Sequence, residues 1–152
     1  MTNDKAKLHD LRQNYQRDHL DEATASESPF KQFENWFNDA MQAELLEPNA
    51  MIVATVDENH CPSMRTVLLK EYDEQGFVFY TNYGSQKAKH LEQNANIALQ
   101  FLWLPLERQV SIIGRAEKLS RAESLAYFLS RPKGSQLGAW VSHQSDVISG
   151  KQ

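Results

Sequence analysis

The sequence predicts a mainly β fold with peripheral helices, an α+β chain whose strands run antiparallel. Three observations carry this. From Met51 the apolar period changes from helical to short β-branched runs. Three of those runs are joined by short polar turns, which reads as an antiparallel meander. The main helical segments begin at Ser28, Ser85 and Ser120, residues suited to cap a helix.

Taken in order, residues 1–28 are polar and expected to be mobile, with Leu8, Leu11 and Tyr15 on one face of a short helix. Residues 29–152 are expected to form the folded domain. Ser28-Pro29 starts a helix in which Phe30, Phe33, Phe37, Ala40 and Met41 repeat at the helical period, Trp36 widens the stripe, and Pro48 marks the end. Met51–Val56 is the first strand, Ser63–Glu71 the second and Phe77–Thr81 the third, separated by the turns Asp57–Pro62 and Asp73–Gly76. Ser85 caps a helix to about Gln93, with Ala88 and Leu91 inward. Strand four covers Ile97–Leu104 and is broken by Pro105. Strand five covers Glu107–Lys118, with Val110, Ile112 and Ala116 inward and Gly114 marking a bulge or a close backbone approach. Ser120-Arg121-Ala122-Glu123 is a capping box whose helix is expected to bury Ala122, Leu125, Phe128 and Leu129. A further short helix is expected over Ser135–Val141.

At 152 residues the chain is most simply one domain, long enough to bury roughly 68–70% of its unfolded surface. A net charge of −4 argues against a broad nucleic-acid face, while local basic clusters remain able to hold single phosphates. Cys61 is the single cysteine, so no internal disulfide forms and a reducing compartment fits best. Met1–Asp10 lacks the apolar core of a signal peptide, and no apolar run reaches the ~20 residues needed to span a bilayer. The expected location is the cytoplasm, without a membrane partner.

Arg65-Thr66-Val67-Leu68-Leu69-Lys70 and the run from Phe77 to Lys87 form two apolar strands edged by cations and hydroxyls. That arrangement suits a flat, phosphorylated organic ligand. In Gly84-Ser85-Gln86-Lys87, a helix N-terminus after a glycine offers backbone N–H groups to an anion and the lysine adds charge. Arg65 and Lys70 are five apart, so strict alternation puts them on opposite faces, and one ligand meets both only at a twisted or bulged edge or at a barrel mouth. Tyr127 and Arg131 share a helix face, and Ser135 follows just past the Pro-Lys-Gly turn, which makes a phosphate clamp. Taken alone, an ordinary exposed helix face explains that trio better. The histidines have no metal-ligand spacing, and Cys61 beside Pro62 has nothing to activate it. No nucleophile elbow, Walker loop or dinucleotide fingerprint is present. Phosphate-binding groups without an acid–base pair suggest that a cofactor carries the chemistry.

Six stretches together resemble pyridoxamine 5′-phosphate oxidases: Arg65–Lys70, Phe79–Asn82, Gly84–Ala88, Leu106–Val110, Tyr127–Pro132 and Ser135–Ser142. The likeness runs from about Leu8 to Ile148. It implies a Greek-key-like split β-barrel that binds FMN, a homodimer with FMN between subunits, and oxidation of pyridoxine or pyridoxamine 5′-phosphate to pyridoxal 5′-phosphate with O2 as acceptor and H2O2 as product. Carried over by position, Arg65 and Lys87 hold the FMN phosphate. Thr66, Val67, Leu68, Leu69, Lys70, Tyr80 and Thr81 lie along the flavin, Gln109 hydrogen-bonds it, and Gln144 and Ser145 add contacts. Lys70, Tyr127, Arg131 and Ser135 match the substrate-phosphate site, and Arg12, Gln13, Asn14 and Tyr15 match a segment that covers the substrate. Gln86 stands where the family has arginine, so one charged phosphate contact is lost. Family members also continue past Gly150 to a tryptophan and an Arg-x-His-x-Arg run that embrace the substrate and flavin. Relative to them the chain is truncated. A non-catalytic flavin- or pyridoxal-phosphate-binding module is therefore the alternative, with a flavin reductase-like split barrel ranked below it.

Overall fold

A computed structural model describes residues 8, 10–82 and 84–130. They fall into two compact units, one drawn from Met1–Pro48 and Trp103–Gln109, the other from Asn49–Leu102 and Val110–Gln152. Sequence expectations for residues 131–152, and for the side chains of Tyr127 and Phe128, lie outside the described residues.

In the first unit, helix α1 spans Pro29–Gln42 and its start follows the predicted chemistry: the Lys31 N–H donates to Ser28 Oγ at 3.4 Å, with proline at the first helical position. Phe33 and Ala40 are buried. Phe33 stacks on Phe37 at 5.8 Å, and both rings lie against Trp103 at 6.0 and 6.3 Å. The Trp103 indole N–H donates to the Pro48 carbonyl at 2.9 Å, which satisfies the one polar atom of that aromatic core. The helix ends at Gln42, well before Pro48, and Glu44 takes a left-handed φ of 52° just beyond it. Met41, expected in the apolar stripe, is instead exposed.

The predicted helix through Leu8, Leu11 and Tyr15 does not extend that far. Leu8 and Asp10 are helical, while Leu11 and Tyr15 lie outside any helix and are exposed. Three apolar residues among charges bury too little to offset helix nucleation. What orders the following residues is polar: the Gln16 and Arg17 N–H groups donate to Glu107 Oε2 at 3.0 and 2.9 Å, and Arg17 Nη1 to the Pro105 carbonyl at 2.9 Å.

The strands are β1 (Ala50–Val56), β2 (Pro62–Asp73), β3 (Gly76–Phe79), β4 (Asn96–Trp103) and β5 (Arg108–Arg115), in the sheet order β3-β2-β1-β4-β5. β1 pairs antiparallel with both β2 and β4, and β2 antiparallel with β3. Asp57 Oδ1 sets the first turn by accepting from the Asn59 and Cys61 N–H groups at 2.8 and 2.9 Å. That turn fixes the register that places Thr55 opposite Ser63 and Val53 opposite Arg65. Met51, Val53, Leu99 and Phe101 are buried, and Phe77 packs on Phe101 with ring centroids 6.4 Å apart.

Pro105 breaks β4 as expected, into a 3₁₀ turn over Leu104–Leu106. Glu107 closes that turn with φ 55°, so it caps the turn and β5 begins one residue later than predicted. A Cβ on Gly114 would meet nothing within 4 Å, so the expected close approach does not occur.

Helix α2 spans Gln86–Gln93, capped by Ser85 Oγ accepting the Ala88 N–H at 3.2 Å. Helix α3 spans Arg121–Ser130 behind the predicted capping box, in which Ser120 N–H donates to Glu123 Oε2 at 2.9 Å and Glu123 N–H to Ser120 Oγ at 3.3 Å. Its expected burial is overturned: Ala122 is exposed, and Leu125 and Leu129 are 57% and 64% exposed. The helical period groups these residues on one side of the helix, but a period does not by itself bury that side.

The second unit therefore rests on the β1–β4 core. Phe101→Ala is expected to cost about 3–5 kcal/mol, as for a buried ring whose cavity collapses only partly. Urea titration followed by tryptophan fluorescence measures this, and a loss below about 1 kcal/mol would contradict the packing described.

Candidate anion site beneath strand two

Among the described residues the buried polar or charged side chains are Thr55, Ser85, Lys87 and His90, at 0, 0, 1 and 7% exposure. All four belong to one cluster. Burying polar atoms costs free energy unless each finds a partner, so such a concentration marks a built site rather than a gap in the core.

Three elements supply it. β1 turns Thr55 inward on the same face as Met51 and Val53. β2 brings Arg65, whose Nη1 donates to Thr55 Oγ1 at 2.7 Å and to the Ser63 carbonyl at 3.3 Å, and whose Nη2 donates to Ser63 Oγ at 2.9 Å. α2 brings Lys87, whose ammonium donates to Thr81 Oγ1, and the capping Ser85, whose Oγ lies 3.2 Å from Thr81 Oγ1. His90 Nδ1 lies 3.1 Å from Thr55 Oγ1 and 3.4 Å from Ser63 Oγ.

The electrostatics are those of an anion receptor. Burial, and after it the neighbouring Arg65 guanidinium, draws the Lys87 ammonium down from 10.5 to about 8. Burial likewise lowers Arg65. Both groups are disfavoured as cations by where they stand, and a bound dianion would reverse that. α2 begins at the same place, so its N-terminal partial positive charge adds to theirs.

Of the predicted cofactor residues, Arg65, Thr81 and Lys87 thus come together. Thr66 and Lys70 are exposed on β2, Val67 and Leu68 half-buried and Leu69 buried. The β2–β3 register shifts between Leu69 and Glu71, an irregularity centred on Lys70. Tyr80 is half-buried after β3, Gln86 is exposed at the first position of α2, and Gln109 is exposed on β5. Arg12, Gln13, Asn14 and Tyr15 are exposed. Tyr15 lines a separate cleft of about 310 Å³ in the first unit, with Trp36, Glu107 and Arg108. There Arg108 pairs with Asp18 at 2.8 Å and Asp39 at 2.7 Å and lies 4.8 Å above the Trp36 ring. Arg131, Ser135, Gln144 and Ser145 lie outside the described residues.

Sequence reasoning missed Thr55, Ser63 and His90. The signal for the first two was the Asp57–Cys61 turn, because the hairpin register it imposes sets Thr55 opposite Ser63. For His90 it was the three-residue spacing from Lys87, which places both on one helix face.

Residues 37–152 match the family model described as pyridoxamine 5′-phosphate oxidase. A pyridoxine/pyridoxamine 5′-phosphate oxidase of Hydrogenovibrio crunogenus is 60% identical over 95% of this chain and 68% of its own length. One of Rippkaea orientalis is 59% identical over 93% of this chain and 67% of its own length. Among solved structures, PhzG from Burkholderia lata 383, in complex with tetrahydrophenazine-1-carboxylic acid, superposes with a TM-score of 0.82 at 24% identity, over 88% of this chain and 67% of that one. A pyridoxamine 5′-phosphate oxidase-related, FMN-binding protein from Nostoc punctiforme gives 0.58 at 19% identity, over 80% and 74%. The antiparallel sheet with peripheral helices is thus the split-barrel fold expected from the sequence.

The Lys87 shift has a measurable sign. Between about 8 and 10.5 the unfolded chain binds more protons than the ligand-free fold, so stability rises with pH across that window. At neutral pH both states carry the proton, and the cost of burying the cation is fully present. Lys87→Met is expected to raise the urea midpoint at pH 7, with the gap to the unmodified chain closing from about pH 8 upward. A gap that is absent at pH 7, or that widens with pH, would contradict this.

Proposed function

Because the chain belongs to the pyridoxamine 5′-phosphate oxidase family, we propose that it is an FMN-dependent oxidoreductase of phosphorylated B6 vitamers. It converts pyridoxine 5′-phosphate to pyridoxal 5′-phosphate with O2 as acceptor and H2O2 as product, and pyridoxamine 5′-phosphate likewise with water consumed and ammonia released. One observation carries the assignment of the cofactor: two cations, Arg65 and Lys87, converge in a buried cluster of hydroxyls at the start of a helix. That donor set fits a phosphate dianion, which accepts several charge-assisted hydrogen bonds at once.

FMN, when bound, supplies the two-electron redox chemistry that no side chain here provides. The protein's own task is positioning. Arg65 and Lys87 hold the FMN phosphate, and Gln86 stands beside it at the first turn of α2. Residues 66–70, Tyr80 and Thr81 line the ring, while Gln109, Gln144 and Ser145 add hydrogen bonds. Lys70, Tyr127, Arg131 and Ser135 take the substrate phosphate, and Arg12–Tyr15 cover the substrate. The chain works as a homodimer, to which the exposed Ile113, Leu125 and Leu129 lend support as apolar surface for a second copy to cover.

Mixing the chain with FMN and pyridoxine 5′-phosphate is expected to give pyridoxal 5′-phosphate and an equivalent of peroxide. Arg65→Ala is expected to weaken FMN binding about 10- to 100-fold, the scale of a lost hydrogen bond to a charged group, with little effect on riboflavin. Flavin binding without turnover would identify a flavin-binding module instead. Equal affinity for FMN and riboflavin would remove the phosphate assignment altogether.

A further inference from the structure

We infer that His90 is a positioning residue for the cofactor phosphate, acting on Arg65 through the hydroxyls of Thr55 and Ser63. The inference rests on the reading of Arg65 as a phosphate ligand and deepens it.

The hydrogen-bond directions follow from what each group is able to do. A guanidinium only donates, so Thr55 Oγ1 at 2.7 Å and Ser63 Oγ at 2.9 Å must both accept from Arg65. Each hydroxyl keeps one proton of its own to place. His90 Nδ1 stands 3.1 Å from the Thr55 oxygen and 3.4 Å from the Ser63 oxygen, within reach of both hydroxyls, and we take it as their shared acceptor. That role assigns the neutral tautomer with its proton on Nε2. With the proton of Thr55 directed at the imidazole, the lone pairs of its oxygen are directed at the guanidinium.

The consequence is a two-point hold on one arginine. Arg65 is a long side chain with rotamer freedom to lose, and two fixed hydroxyls remove that freedom before any ligand arrives. Thr55 is completely buried and His90 nearly so, which makes their geometry depend on each other rather than on water. Across the same cluster Lys87 is held separately, through Thr81 and the Ser85 cap. Among the described contacts each cation therefore has its own hydroxyl support, and His90 meets the hydroxyls that hold the arginine.

The test compares two flavins that differ only in the phosphate. Dissociation constants for FMN and riboflavin are measured by flavin fluorescence quenching on the full chain, with circular dichroism as a folding check. His90→Leu removes the acceptor at similar volume. His90→Asn keeps an amide oxygen near the position of Nδ1. The leucine variant is expected to bind FMN about tenfold more weakly, with riboflavin unchanged, and the asparagine variant to recover most of that loss. An equal loss for both flavins would mean a merely structural role and overturn the inference. So would an unchanged FMN constant, or an asparagine variant as weak as the leucine one. If the leucine variant does not fold, the asparagine variant decides in its place, set against His90→Gln, which moves the amide oxygen away from the hydroxyls. A larger FMN-specific loss in the glutamine variant supports the inference, and equal constants for the two overturn it. An unmodified chain that does not prefer FMN to riboflavin removes the underlying reading of Arg65. A preference that persists in every His90 variant removes only the role of His90.

Discussion

The arrangement on which the rest of the site depends is a buried cation, Lys87, set within the field of a second, the half-buried Arg65. Burial strips the Lys87 ammonium of hydration, and the neighbouring guanidinium adds like-charge repulsion to that cost. A fold keeps such a pair only if other interactions hold both cations in place. Among the described residues the contacts include the hydroxyls of Thr55, Ser63 and Thr81, with the Ser85 cap behind them. Hydroxyls satisfy hydrogen bonds without cancelling charge, so the positive potential survives for a ligand to use. A carboxylate in the same place would have stabilised the fold and filled the site.

That requirement reaches into the sheet. Thr55 supports Arg65 because the β1–β2 register faces Thr55 with Ser63, two residues before Arg65. A slip of one residue would turn the guanidinium to the other face and bury a partnerless threonine. The register is held from both ends, by the Asp57 turn and by the apolar alternation of Met51 and Val53. Packing and site formation thus depend on the same register, and a substitution in the turn acts on both.

What was legible in the sequence was local. The caps at Ser28, Ser85 and Ser120 and the strand boundaries follow from short-range chemistry, and the structure reproduces the boundaries within one to three residues, β5 ending at Arg115 rather than Lys118. What escaped was non-local. Leu125 and Leu129 have the period of a buried face, yet a period says which side of a helix is apolar and nothing about what covers it. His90 reads as one scattered histidine until α2 is laid beside β1. For Lys70 the sequence reading required a twisted or bulged edge, and the β2–β3 register does shift between Leu69 and Glu71.

The charge count also gives a physical reading of Gln86. By the resemblance, Gln86 stands where the family has arginine. A glutamine there adds no third positive charge to a place where the Arg65 guanidinium already depresses Lys87. Arg65 and Lys87 together match the two charges of a phosphate dianion. Gln86 is exposed at the first position of α2, where an arginine would act across solvent and be screened by salt. A buried cation is worth more to the ligand than an exposed one, because less water competes for it. Under the proposed phosphate role, Gln86 forgoes only an exposed charge, while Arg65 and Lys87 are the cations that the sheet and helix hold in place.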